Sequence, residues 1–188
     1  MKRSDLDIGQ VERCVDNWLA SIVIGLNLCP FAEREHRKNK IRFKTSTAEV
    51  EQEIVRDLIV ELSLLNKRDD IETSLLILPQ VLSEFEHFND FLGFADSLLR
   101  EMNLEGVFQI ASFHPQYRFS DTESDSAENY TNRSPYPILH LLRESSLDWA
   151  IDQHPNTDQI PLANIALMNS LGAAHMQSLL AACSEIDD

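Results

Sequence analysis

A chain of 188 residues, 43% hydrophobic and 25% charged, is long enough for one compact domain with a substantial core and too short for two of ordinary size. Its formal net charge of −15 at pH 7 argues against nucleic acid or an anionic membrane as principal partner, since both would repel most of the surface. The N-terminal MKRSDLDIGQ lacks the apolar core of a secretory signal and no apolar run is long enough to cross a bilayer, so a cytoplasmic location is expected.

Taken in order, Val11, Cys14, Val15, Trp18, Leu19, Ile22, Val23 and Leu26 recur at helical spacing and predict an amphipathic helix ending near Asn27, because Pro30 disfavours helical geometry at Cys29. Ala32 to Lys40 reads as a charged loop, and Ile41 to Thr45 alternates apolar and basic residues like an edge strand with one wet face. Arg34, Arg37, Lys38, Lys40, Arg42 and Lys44 make this region basic, which a solvated loop and strand edge explain better than a docking surface. A second helix follows Thr47, with its stripe on Val50, Ile54, Leu58, Leu62 and Leu65. Ser74 to Leu78 is a short apolar run stopped by Pro79, as in a strand buried on both faces.

Glu84 to Asn103 carries Phe85, Phe88, Leu92, Ala95, Leu99 and Met102 on one helical face, and Val107 to Phe113 is a third strand stopped by Pro115. Residues 115–133 have no periodicity and much Ser, Asp, Glu and Asn, the mark of a long loop of the kind that often carries function. Ser134 as cap, Pro135 and Pro137 in a first turn, and Ile138, Leu141, Leu142 and Ala150 as stripe predict a helix to about Gln153. A last helix is expected from Thr157 or Pro161 to Ala182, weakened at Gly172. The whole predicts a single α/β domain, with a small three-stranded, at least partly parallel sheet and about five helices; an α+β arrangement is the alternative.

Five glycines provide neither GxGxxG nor a Walker loop, and there is no GxSxG elbow or HExxH pair. Chemistry concentrates instead between Phe108 and Glu144. His114, at the end of a buried strand, has the position and pKa of a general base or metal ligand, against the alternative of a histidine bonded to loop backbone. Asn129, Asn132, Arg133 and Ser134 lead into the expected helix N-terminus, where free N–H groups attract anions. On that helix His140 and Arg143 would share a face, making with Arg133 a cationic pocket; the alternative is that Arg143 pairs locally and pins the loop down. Asp121, Asp125 and Glu128 have the chemistry to join a histidine around a metal but match no established ligand spacing. Cys14, Cys29 and Cys183 are few, odd in number and scattered, which excludes a disulfide framework or CxxC zinc site. Cys29 would be a nucleophile only with a histidine near; otherwise it is a small buried hydrophobe. His36, His87, His154 and His175 have no evident partners and are given no role.

GLNLCPF at Gly25 to Phe31, the LLILP strand, FNDFL at Phe88 to Leu92, QIASFHP at Gln109 to Pro115 and ENYTNRSPYPILHLLRE at Glu128 to Glu144 resemble an uncharacterised, mainly bacterial family catalogued as domain of unknown function 1415. The resemblance spans nearly the whole chain, implies one cytoplasmic domain and marks ENYTNRSPYP as a signature; it brings no activity, cofactor or catalytic assignment. The residues themselves favour an enzyme acting on a small anionic, phosphorylated or carboxylated metabolite, with His114 or His140 moving a proton and Asn129, Asn132, Arg133, Ser134 and Arg143 binding ligand. The alternatives are a non-catalytic ligand-binding or regulatory module and a metal-assisted hydrolase using the acidic loop.

Overall fold

The computed structural model describes residues 6–153 and 157–185, so His154 lies outside the described residues. The first amphipathic segment forms α1 (Ile8–Trp18), capped by the Asp7 carboxylate, and widens into a π-helix over Leu19–Ile24. Gly25 closes it because a β-carbon there would lie 2.3 Å from the Ser21 carbonyl oxygen. Asn27, at φ 53°, then turns the chain with the left-handed geometry that asparagine tolerates. Part of the expected charged loop is a short helix, α2 (Ala32–Arg37), tied to α1 by His36 and Asp16 at 2.7 Å.

Strand β1 (Ile41–Thr45) pairs in parallel with β2 (Thr73–Ile77), joined by α3 (Glu51–Leu65). The basic face of β1 is not simply wet. Arg42 makes a two-pronged ion pair with Glu61 of α3, itself 1% exposed and also bonded by the Ser74 hydroxyl. Next come α4 (Phe85–Glu101) and β3 (Phe108–Phe113), as the periodicity predicts.

The expected helix after Ser134 is absent. Residues 138–143 form a fourth strand, β4 (Ile138–Arg143), and only then does α5 (Glu144–Gln153) begin. The physical reason lies in Pro135 and Pro137, each of which pushes its predecessor toward extended backbone. Two such residues in three aim the chain into a strand, and a stretch with four apolar residues in five fits a sheet centre as well as a helix stripe. The C-terminal helix divides at Gly172, whose φ of 81° separates α6 (Ile160–Leu171) from α7 (Ala173–Ala182).

The sheet therefore has four strands in the order β1-β2-β4-β3, with β1 and β2 parallel and both β4 pairings antiparallel. This mixed α/β architecture, with seven α-helices among the described residues, corrects the expectation of three strands and about five helices. Its two faces differ. On one, α3 and α4 bury Leu76, Leu139, Leu141 and Phe108 in a continuous core. On the other, α1, the π-helix, α6 and α7 cover Ile77, Ile138 and Phe113. The rest of that second face, at Thr73, Leu75, Ala111, His140 and Leu142, lines a cavity.

Candidate functional site

Of the residues expected to form a site between Phe108 and Glu144, those from His114 to Ser134 bond mostly to main-chain groups. His114 is fully buried, its Nδ1 accepting from the Gln116 N–H at 3.0 Å and its Nε2 lying 3.0 Å from the Leu82 carbonyl oxygen. An acceptor Nδ1 fixes the proton on Nε2, which donates to Leu82. Leu82 has φ 54°, a left-handed geometry costly for leucine, and so turns its carbonyl to this bond. The ring packs against Phe85 and Phe88 at centroid distances of 5.4 and 5.0 Å, and burial pushes its pKa down. Both nitrogens are engaged, leaving neither free to move a proton.

Residues 115–133 are likewise held by their own polar groups. Asn129 is fully buried; its Oδ1 accepts from the Phe119 N–H and Thr122 hydroxyl, and its Nδ2 donates to the Glu123 carbonyl. Asn132 donates to the Ser112 carbonyl and accepts the His114 N–H on its own carbonyl. Arg133 donates to the Tyr117 and Ser124 carbonyls and lies over the Tyr130 ring at 4.5 Å, while its carbonyl accepts the Trp18 indole N–H. Ser134 is buried and donates to the Tyr136 carbonyl, with a strand following where a helix N-terminus was expected.

His140 and Arg143 do not share a helix face, because three positions along a strand point to opposite sides. Arg143 reaches the C-terminal end of α3, donating to the carbonyls of Leu65, Arg68 and Ile71, with Phe108 under its guanidinium at 5.4 Å. A cation there satisfies carbonyls that the helix cannot and complements its dipole. Replacing Arg143 by Ala is expected to lower stability by about 2 kcal/mol in urea denaturation; an unchanged midpoint would mean that water replaces these bonds fully. Asp121 and Asp125 are exposed. Among the described residues, no three His, Cys, Asp or Glu side chains are grouped so that they could hold a metal ion.

His140 has different surroundings. Register places it on the central strand β4 between Leu75 of β2 and Ala111 of β3, at the floor of a cavity of about 820 Å³. The small Ala111 leaves room beside the ring. Trp18, Leu19 and Val23 of the α1 and π-helix segment form one wall, Cys29, Pro30 and Phe31 another, and Leu147, Trp149 and Ala150 of α5 a third. Arg34 spans from α2 to α5 at the edge, its guanidinium 4.6 Å from the Trp149 ring centre and its Nε 3.1 Å from Glu35. Phe113 is the aromatic neighbour of the imidazole, at 6.0 Å. Neither ring nitrogen of His140 has a hydrogen-bond partner among the described residues, and depth in the fold pushes the pKa down to about 4. It is therefore neutral near pH 7, with one donor and one acceptor available to an occupant of the cavity.

Most of these walls escaped pattern reading because they come from stretches far apart in the chain. The available signal was GLNLCPF: Gly25 permits the close helical approach, Asn27 makes the turn, and Cys29, Pro30 and Phe31 then face the cavity. Asn164 of α6 secures that turn by donating to the Leu28 carbonyl. A π-helix beside it also fits, since such widened turns frequently mark functional sites.

No curated protein and no solved structure matches the chain. The family model described as "Protein of unknown function (DUF1415)" matches residues 10–178, bearing out the resemblance carried by GLNLCPF, QIASFHP and ENYTNRSPYP. The chain belongs to the DUF1415 family.

Proposed function

We propose that this protein binds a small, largely apolar molecule in the cavity over the sheet, with His140 as its polar anchor. The observation that carries this reading is an imidazole without a side-chain or backbone hydrogen-bond partner among the described residues, at the floor of a mostly apolar, aromatic-walled space whose other polar lining includes Arg34, Glu35, Ser145 and Ser146. His140 is only partly buried and its ring nitrogens open onto the cavity, so an occupant with a hydroxyl, carbonyl or amide bonds to them in place of water. The volume lies in the range usual for small-molecule sites, as does a lining of apolar and aromatic side chains around a few polar groups.

An enzyme for a phosphorylated or carboxylated metabolite is less well supported. Its cations, Arg133 and Arg143, already bond main-chain carbonyls, and His114 has both nitrogens engaged. Arg34 at the cavity edge is paired with Glu35. The test is titration with the uncharged dye N-phenyl-1-naphthylamine. Native protein should enhance its fluorescence saturably at one equivalent, and Ala111→Trp, which fills the space beside His140, should abolish the enhancement while circular dichroism is unchanged. Equal enhancement by a folded Ala111→Trp variant would place the dye elsewhere and remove the basis for the proposal.

A further inference from the structure

No aspartate, glutamate, lysine or arginine occurs from Ile160 to Cys183, although the chain has 31 acidic and 16 basic residues. That stretch forms α6 and α7, whose inner sides are accounted for. Met168, Met176 and Cys183 are buried in the helical core, and Asn164 bonds the Leu28 carbonyl. The outer sides carry no charge either. Leu162, Ala166 and Ser170 recur at a spacing of four on the exposed stripe of α6, and Ala174, Ser178 and Ala182 on that of α7. Leu162, at 61%, is the most exposed large hydrophobic side chain among the described residues. A helix that is apolar on every side is ordinarily covered on every side.

We propose that this face is the contact between two copies of the chain, with α6 crossing α6 antiparallel about a two-fold axis at Ala166. Charge selects the occupant. A two-fold contact sets each patch against itself, so a charged patch meets its own sign. With a net charge of −15, most of the surface repels a second copy in this way, and the basic stretch from Arg34 to Lys44 does the same with opposite sign. A face without charge escapes that repulsion. A basic or acidic partner protein, by contrast, would find no charge there to pair with.

The polar groups on the face are suited to being covered. The Ser170 hydroxyl donates to the Leu167 carbonyl at 2.8 Å and the Ser178 hydroxyl to the Ala174 carbonyl at 3.1 Å, so excluding water from them leaves neither donor unpaired. At the axis Ala166 meets Ala166 of the partner subunit, and two such small residues permit close approach of the helices. Leu162 then packs on the turn that ends at Ser170 of the partner subunit.

The experiment is sedimentation equilibrium of the full chain over the micromolar range, at low and at high salt. Native protein is expected to have twice the mass of one chain and to dimerise more tightly at high salt, which screens the acidic surfaces and leaves an apolar contact intact. Ala166→Glu, which puts two carboxylates at the axis from an exposed helical position, should have the mass of one chain with its circular dichroism unchanged. Leu162→Gln, which adds no charge, should weaken the dimer roughly tenfold or more, since the contact is lost twice. Val60→Glu, at an exposed apolar position of α3, should remain dimeric. A native protein that stays monomeric, a dimer that salt weakens, a folded Ala166→Glu or Leu162→Gln protein that dimerises as the native does, or a Val60→Glu protein that dissociates would each overturn the proposal.

Discussion

Replacing His114 by Ala should cost about 3–5 kcal/mol of stability, the scale of deleting a large buried ring, with the loss of its hydrogen bonds included. The ring fills space between Phe85 and Phe88, and the substitution leaves the Leu82 carbonyl and Gln116 N–H without their partner. Leu82 would also keep its costly left-handed backbone with no bond to reward it. Urea denaturation followed by circular dichroism measures this directly. A His114→Ala protein as stable as the parent would mean that the ring is not part of the scaffold, and would restore its candidacy for proton transfer. His114 links the end of β3 to the turn before α4, so the destabilisation should be global.

The second large effect is a loss of stability in mild acid that His140 contributes. Burial holds its folded pKa at about 4, below the ordinary 6.5. Above pH 6.5 the group is neutral in both folded and unfolded chains and has no linkage effect. Between 6.5 and 4 the unfolded chain binds the proton and the folded chain does not, so stability falls as pH falls through this window. The full shift corresponds to at most about 3 kcal/mol, less where the ring has access to cavity water. His114, also shifted down by burial, acts in the same direction. Comparing denaturation midpoints at pH 7 and pH 5, His140→Leu should lose less stability on acidification than native protein. An equal loss in both would place the acid sensitivity elsewhere and show that the imidazole is well solvated.

How much of this was legible in the sequence follows from which signals are local. The first helix, α3, β2, α4 and β3 follow from apolar spacing with stops at Pro and Gly. β4 does not, because Ile138 to Leu142 satisfies a helical stripe and a buried strand equally, and the deciding pairing with β2 and β3 is long-range. That misassigned element governed the candidate site. With residues 138–143 as a helix, His140 and Arg143 converge on an anion; as a strand, both border the cavity but the Arg143 guanidinium is spent on the carbonyls at the end of α3.

The density of polar residues from Asn129 to Ser134 is equally ambiguous in sequence. Side chains that would bind a ligand are the same types that hold an irregular segment by bonding its backbone, and here Asn129, Asn132 and Arg133 do the latter. Cys29 posed the converse problem. Between Leu28 and Pro30 it reads as a core residue, and only assembly of the π-helix, α2 and α5 puts it on the same cavity as His140.

The most direct measurement is a magnetic resonance titration of the histidine ring signals of native protein with N-phenyl-1-naphthylamine at pH 7. The His140 signals should shift and saturate at one equivalent while those of His114, on the other side of β3 and closed to the cavity, stay in place. Saturable binding that leaves the His140 ring unmoved would contradict its role as anchor and the assignment of the cavity as the site.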